Sequence, residues 1–149
     1  HCNGVYGDKK SAMDRFIKNF QRLSKSVQKR LTIENDDKAS MYSVKDLMYI
    51  HNSLKIPIVF DYHHHQFCTG DLSEEQALKL AATTWPKGIK QEVHYSESKA
   101  LHENNPKEKP QAHSYLINAL PNTYGLDLDV MVEAKGKELA ILPYLKKSK

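Results

Sequence analysis

Carboxylates and imidazoles recur along this sequence, each directly after a segment with strand character. The apolar run at residues 58–60 leads into Asp61 and three consecutive histidines, and shorter runs end at Glu34, His94 and Glu133. Mixed oxygen and imidazole ligands suit Mn²⁺, Zn²⁺ or Fe²⁺ better than Ca²⁺ or a cysteine-rich structural zinc site. More than four candidate ligands indicate more than one ion, and paired ions are the usual device for in-line displacement at a phosphodiester.

Hydrophobic periodicity and turn residues predict helices that alternate with strands. The predicted helices are 8–30, 43–54, 73–85, a short one at 113–120, and 137–147, bent or broken near Pro143; the predicted strands are 31–34, 56–60, 91–95 and 127–133. A polar loop, 96–112, is longer than a simple connection needs. This alternation predicts an α/β fold with a parallel sheet, whose strands place ligands at their carboxyl ends. Either a small doubly wound domain or half of a (β/α)8 barrel fits.

The spacing of residues 61–65 indicates which of these side chains can bind one metal together. Asp61 and His64 can both reach one metal if the chain turns immediately after the strand, and His63 and His65 then point to supporting or phosphate contacts. Cys68 fits a small packed residue better than a ligand.

The composition bounds the class of protein. The 149 residues are 40% hydrophobic with a net charge of +4, which fits one globular unit spanning 1–149 and allows a polyanionic partner. No apolar run approaches the ~20 residues of a membrane span, and two cysteines fit a reducing cytosol. We therefore expect a cytoplasmic protein. Because residue 1 is His1 and not methionine, we also expect an excised piece of a longer protein.

Six stretches in this order resemble the UV-damage endonuclease family. They are HCNGVYGDKK, TIENDD, PIVFDYHHH, EVHYS, KPQAHS and DVMVEAKGKE. The resemblance implies a (β/α)8 TIM barrel, of which this chain would be about the carboxyl-terminal half with four parallel strands. It also implies a cluster of two or three divalent ions, usually Mn²⁺ with Zn²⁺ or Mg²⁺ as alternatives. Such enzymes nick damaged double-stranded DNA immediately 5′ to ultraviolet photoproducts such as pyrimidine dimers, and some act at abasic sites.

The resemblance also assigns residues. The implied metal ligands are His1, Glu34, Asp61, His64, His94, His113 and Glu133. Of these, Glu34, Asp61, His64 and Glu133 are the implied catalytic residues. The chain departs from the family at Glu92, where members can carry a modified lysine. Since strand period two puts Glu92 and His94 on one face, we expect Glu92 to face the metals or their supporting contacts.

The sequence gives weaker evidence for the residues that contact DNA. Lys135 and Lys137 follow Glu133 and could meet phosphates, and Lys10 near the start of the first helix could do the same. A half barrel also has exposed sheet edges, through which we expect self-association. The alternative functions are an endonuclease IV-like abasic-site endonuclease, a sugar isomerase, or an inactive truncated module that binds metal. No sugar-binding motif supports the isomerase.

Overall fold

A computed structural model describes residues 1–2 and 4–145 of the chain. The helices are α1 Lys9–Phe20, α2 Lys25–Gln28, α3 Val44–Leu54, α4 Tyr62–His65, α5 Glu74–Ala82, α6 Lys99–His102 and α7 Glu138–Leu145; the strands are β1 Ile33–Glu34, β2 Ile58–Asp61, β3 Gln91–Tyr95 and β4 Leu128–Val132. The four strands form one sheet in the order β1-β2-β3-β4, and every neighbouring pair is parallel. The predicted α/β fold with four parallel strands is confirmed.

The register of the sheet aligns the functional ends of the strands. Asp61 pairs with His94 across β2 and β3, and Tyr95 pairs with Val132 across β3 and β4. Glu133 follows directly, and its N–H donates to the carbonyl of Tyr95 over 2.8 Å. Because all four strands run the same way, the ionisable residues at their carboxyl ends lie along one edge of the sheet.

The core lies between this sheet and the helices α3 and α5. All four residues of β2 are buried, and Phe60 packs with fully buried residues such as Leu47, Ile50 and Leu78. Burial of each such side chain contributes about 1.5–3 kcal/mol. Serines at the starts of these helices fix where they begin: Ser43 and Ser73 each form a capping box. This packed core therefore holds the strands in place and, with them, the loops that follow their carboxyl ends.

Two predicted helices are wrong in extent or existence. The first ends at Phe20, because Ser24 caps the separate α2 and Gln28 Nε2 donates to the carbonyls of Phe20 and Leu23. The predicted helix at 113–120 is absent from the structure. Its backbone instead bonds to Glu97, whose carboxylate accepts the N–H of Asn118 over 2.8 Å and whose carbonyl accepts the N–H of Ser114.

The remaining predictions of elements differ mainly at their ends. The third predicted strand, 91–95, coincides with β3, whereas the last predicted helix begins at Glu138 and its end at 146–147 lies outside the described residues. Pro143 lies inside α7. Two short helices, α4 and α6, were not predicted. In the part of the chain that the structure describes, no helix has both the length and the apolar character of a membrane span.

Candidate metal centre

Glu34 lies at the centre of two groups of ligand-type side chains. The first group is His1, Glu34 and His64; the second is Glu34, Asp61, His94 and Glu133. Within each group the ligand atoms lie within 4.8 Å of one another. Two such groups side by side would hold two divalent ions close together, as sites for two-metal catalysis require.

Imidazoles from three other segments of the chain lie around Glu34. Nδ1 of His64 and Nδ1 of His94 lie 3.3 Å and 3.2 Å from Glu34 Oε1. His94 Nδ1 also lies 3.6 Å from Glu133 Oε1, and His1 Nε2 lies 3.9 Å from Glu34 Oε2. The structure therefore brings together six of the predicted ligands from five separate segments of the chain: His1, Glu34, Asp61, His64, His94 and Glu133.

Asp61 and His64 meet because the chain turns into a helix directly after β2. Asp61 is the N-cap of α4, and its Oδ1 accepts the N–H of His64 over 2.8 Å. One turn of helix then brings His64 Nδ1 to 3.7 Å from Asp61 Oδ2. Cap formation uses one carboxylate oxygen and leaves Oδ2 buried with no hydrogen-bond partner. A buried carboxylate oxygen without a donor is costly unless a cation neutralises it, so this geometry fits a bound metal.

The electrostatics of the cluster follow from this crowding. Burial alone would raise the pKa of Glu34, but the adjacent His64 and His94 outweigh it and lower the pKa to about 2. Burial raises the pKa of Asp61 to about 7. Burial acts against protonation of His64 and His94, yet Glu34 beside them raises the pKa of each ring to about 9. The protonated rings therefore place positive charge beside Glu34, as a divalent cation would.

Glu92 and His113 lie at the margin of the cluster. Glu92 Oε1 is 3.4 Å from Nε2 of His94, on the opposite side of the ring from Glu34, and its side chain is 42% exposed. The His113 ring lies 6.1 Å from the His64 ring, and His113 Nδ1 is 3.1 Å from the carbonyl of Glu133. Neither residue belongs to the two ligand groups, although both lie beside members of them.

A closed loop delivers His113 to this margin. The loop 96–112 leaves β3 and returns beside its own start, where Ser98 and His113 form an antiparallel bridge and Lys99 N–H donates to the Ala112 carbonyl over 2.7 Å. His63 is fully buried, and its Nε2 contacts the carbonyl of Gln111 at 3.1 Å. His63 therefore anchors the loop. A contact with a DNA phosphate would require an exposed ring, so the expected phosphate contact of His63 is wrong. His65 is also buried, against the Phe60 ring.

Two residues beside Glu34 were missed by sequence reasoning. Asn35 is fully buried and clamps the backbone of Asp61: its Nδ2 donates to the carbonyl and its Oδ1 accepts the N–H, at 3.0 Å and 2.9 Å. Asp36 is buried beside His1, with Oδ1 3.3 Å from Nδ1 of that ring. The only signal for either was its place next to Glu34 in the TIENDD run.

The predicted DNA-contacting lysines fall in different environments. Lys135 and Lys137 are exposed in the turn after Glu133, beside His113. Lys10 is exposed in the first turn of α1, where its Nζ pairs with Asp14 at 2.9 Å. Cys68 is buried, as expected for a packing residue.

Comparison with known proteins adds the relatives of this chain. The UV-damage endonucleases of Neurospora crassa and Schizosaccharomyces pombe are 37% and 43% identical to it over 98% and 95% of its length. The UV DNA damage endonuclease of Clostridium perfringens is 36% identical over 95% of the chain. The chain spans only 23%, 24% and 35% of these three proteins, respectively.

A solved structure gives the same result in three dimensions. The crystal structure of SacUVDE matches with a TM-score of 0.81 and 34% identity, over 97% of this chain and 48% of that one. This match confirms the expected α/β fold of the TIM-barrel type. The family described as UV-endonuclease UvdE matches residues 1–149. The chain therefore belongs to the UV-endonuclease UvdE family.

Proposed function

We propose that this chain is about the carboxyl-terminal half of a (β/α)8 barrel that repairs DNA by nicking the phosphodiester immediately 5′ to ultraviolet photoproducts. The observation that carries the proposal is the pair of ligand groups sharing Glu34 at the carboxyl edge of the sheet. Active sites of such barrels lie at this edge. The relatives named above are ultraviolet-damage endonucleases, which supports DNA damage as the substrate class.

Four residues carry the proposed catalytic roles. Glu34 bridges the two ligand groups, Asp61 and His64 hold one side of it, and Glu133 holds the other through the group that contains His94. The Asp61 and His64 side chains are held in place by the N-cap of α4, so their positions do not depend on a flexible loop. His1, His94 and His113 complete the proposed ligand set, with Glu92 behind His94.

The donor set favours Mn²⁺. Imidazole and carboxylate ligands without thiolate suit Mn²⁺, with Zn²⁺ or Mg²⁺ as the alternatives. We propose two or three ions, since two ligand groups share Glu34. When bound, such ions activate a water molecule for attack on phosphorus and stabilise charge on the attacking and leaving oxygens. The residues of the chain orient these groups and exclude bulk water from Asp61, which is fully buried.

Damaged double-stranded DNA is the proposed partner. Lys135 and Lys137 lie exposed directly after Glu133, close enough to the cluster to pair with phosphates beside the cleaved bond. Lys10 is a weaker candidate because Asp14 already pairs with it.

The test is nicking of supercoiled plasmid by the natural protein that carries this chain. Irradiated, abasic and untreated plasmids are each incubated with Mn²⁺ or with a chelator, using the unaltered protein, Glu34→Gln and the control Glu75→Gln. Glu75 forms an exposed ion pair with Lys79 on α5, away from the cluster.

Nicking that requires both irradiation and Mn²⁺, and that Glu34→Gln abolishes while Glu75→Gln does not, is the expected result. Metal-dependent nicking of abasic plasmid alone replaces the proposal with an endonuclease IV-like activity. No nicking of any plasmid refutes nuclease function and leaves a module that binds metal.

A further inference from the structure

The turn after Glu133 is fastened to the segment after His113. Lys135 N–H donates to the Ser114 carbonyl over 2.9 Å, and Gly136 N–H donates to the Tyr115 carbonyl over 2.8 Å. A Cβ at Gly136 would lie 2.5 Å from the Tyr115 carbonyl oxygen and 3.2 Å from its ring. Only glycine allows this close approach, so the turn sets the position of the Tyr115 ring.

A cavity of about 500 Å³ opens beside that ring. Its lining includes His113, Tyr115, Lys135 and Lys99, and we call it the Tyr115 pocket. Two carboxylates of the same lining pair with Lys99: Glu108 lies 2.6 Å and Glu103 lies 3.9 Å from its Nζ. Lys135 has no carboxylate within ion-pair distance among the described residues. His113 joins the pocket to the metal cluster, since its Nδ1 lies 3.1 Å from the Glu133 carbonyl.

We propose that the Tyr115 pocket holds one nucleotide of the DNA strand next to the metal cluster. The Tyr115 ring stacks on the base and Lys135 pairs with the adjacent phosphate. This inference rests on the proposed function and extends it by naming a binding pocket that adjoins the ligand set at His113. The nucleotide in the pocket is an undamaged neighbour of the cleaved bond, because stacking on the face of a ring is open to any ordinary base.

Three observations support a nucleotide over other occupants. The Tyr115 ring is 56% exposed, although it lies beside buried Gly136, so a large flat face is available. Lys135 lines the pocket and has no carboxylate partner among the described residues, and Lys137 follows it in the same exposed turn. An aromatic ring beside such basic side chains is typical of sites for single-stranded nucleic acid. The volume lies within the range of pockets for small ligands. Stacking tolerates any base, so we expect little base preference.

The experiment uses the chain with a chelator and a short single-stranded oligonucleotide that contains 2-aminopurine, whose fluorescence is quenched by stacking. Tyr115→Ala should weaken binding about tenfold and abolish the quenching, whereas Tyr115→Phe should keep both. Lys135→Ala should weaken binding and lower its salt dependence by about one counterion. Two controls lie before β3 at the opposite edge of the sheet: Ile89→Ala, with 58% exposure, and Lys87→Ala. Both should bind as the unaltered chain does.

Several results would refute the proposal that the Tyr115 pocket binds a nucleotide. They are unchanged binding and quenching in Tyr115→Ala, equal losses in Ile89→Ala, or no quenching by the unaltered chain. Because these measurements exclude metal and lesions, their failure alongside normal nicking of irradiated plasmid refutes the pocket alone. Normal oligonucleotide binding without any nicking would refute the endonuclease instead.

Discussion

Protonation of the metal-free cluster predicts how the stability of the chain changes with pH, and bound metal should change that dependence in the opposite direction. The pKa of His64 and of His94 is raised from 6.5 to about 9 beside Glu34. A histidine with a raised folded-state pKa contributes stability that is fully present below the unfolded value and is lost as pH rises through the folded value. With a chelator present, the chain should therefore lose stability between about pH 6.5 and pH 9.5.

The magnitude follows from the same contacts. A pKa raised from 6.5 to about 9 corresponds to about 3 kcal/mol for one ring. Both rings draw on the one carboxylate of Glu34, and solvent reaches each of them, so we assign about 3 kcal/mol to the pair as a whole. For a chain of this length each kcal/mol changes Tm by roughly 2–4 °C. The chelated chain should melt roughly 6–12 °C lower at pH 9.5 than at pH 6.5.

Mn²⁺ should reverse the trend, because ligands must be deprotonated to bind metal. The increase in Tm on adding a fixed excess of Mn²⁺ should be larger at pH 8.5 than at pH 6.5. The Glu34→Gln variant removes the shared carboxylate and should lose both the alkaline destabilisation and most of the Mn²⁺ effect, whereas Glu75→Gln should retain both. Thermal melts followed by circular dichroism measure the pH dependence and the Mn²⁺ effect in both variants. A chelated chain whose Tm is flat or rises with pH would refute the reasoning, as would an unchanged alkaline loss in Glu34→Gln.

Three further predictions test the supports of the cluster. Glu92→Gln should weaken Mn²⁺ affinity about tenfold in calorimetric titration, because Glu92 lies 3.4 Å from the far nitrogen of His94; equal affinity would remove Glu92 from the metal site. Asn35→Ala should lower the free energy of unfolding in urea by roughly 2–4 kcal/mol, since both backbone groups of Asp61 lose their partner; a loss under 1 kcal/mol would contradict that clamp. Sedimentation should show self-association through exposed residues such as Met131 on β4, and a compact monomer at all concentrations would exclude it.

The four strands and the ionisable residues at their ends were readable from the sequence because both depend on local patterns. A short apolar run such as 58–60 is typical of an inner strand, and an ionisable residue at the end of such a strand lies at the carboxyl edge of a parallel sheet. The turn that brings Asp61 to His64 was foreseen as a condition, and the structure supplies it as the cap of α4.

The parts that sequence did not reveal depend on contacts between distant residues. The 113–120 segment has a helix-like pattern, but the Glu97 carboxylate holds Asn118 across a gap of 21 residues, and a single sequence carries no sign of that pairing. The roles of Asn35 and His63 are hidden for the same reason, since each bonds a carbonyl far along the chain. Local periodicity cannot identify such partners.

The residues of the cluster differ in how firmly the rest of the chain holds them. Asp61 is fixed twice, by the Asn35 clamp on its backbone and by the N-cap bond of its side chain, so it cannot turn away when a cation is absent. His1 is 44% exposed and lies beside two carboxylates and the His64 ring, and no comparable pair of hydrogen bonds fixes it among the described residues. The group that contains Asp61 is therefore the better preorganised of the two, and in a titration it should take up the first ion. If so, His1→Ala should weaken only a second, lower-affinity binding event, whereas Asp61→Asn should weaken the first.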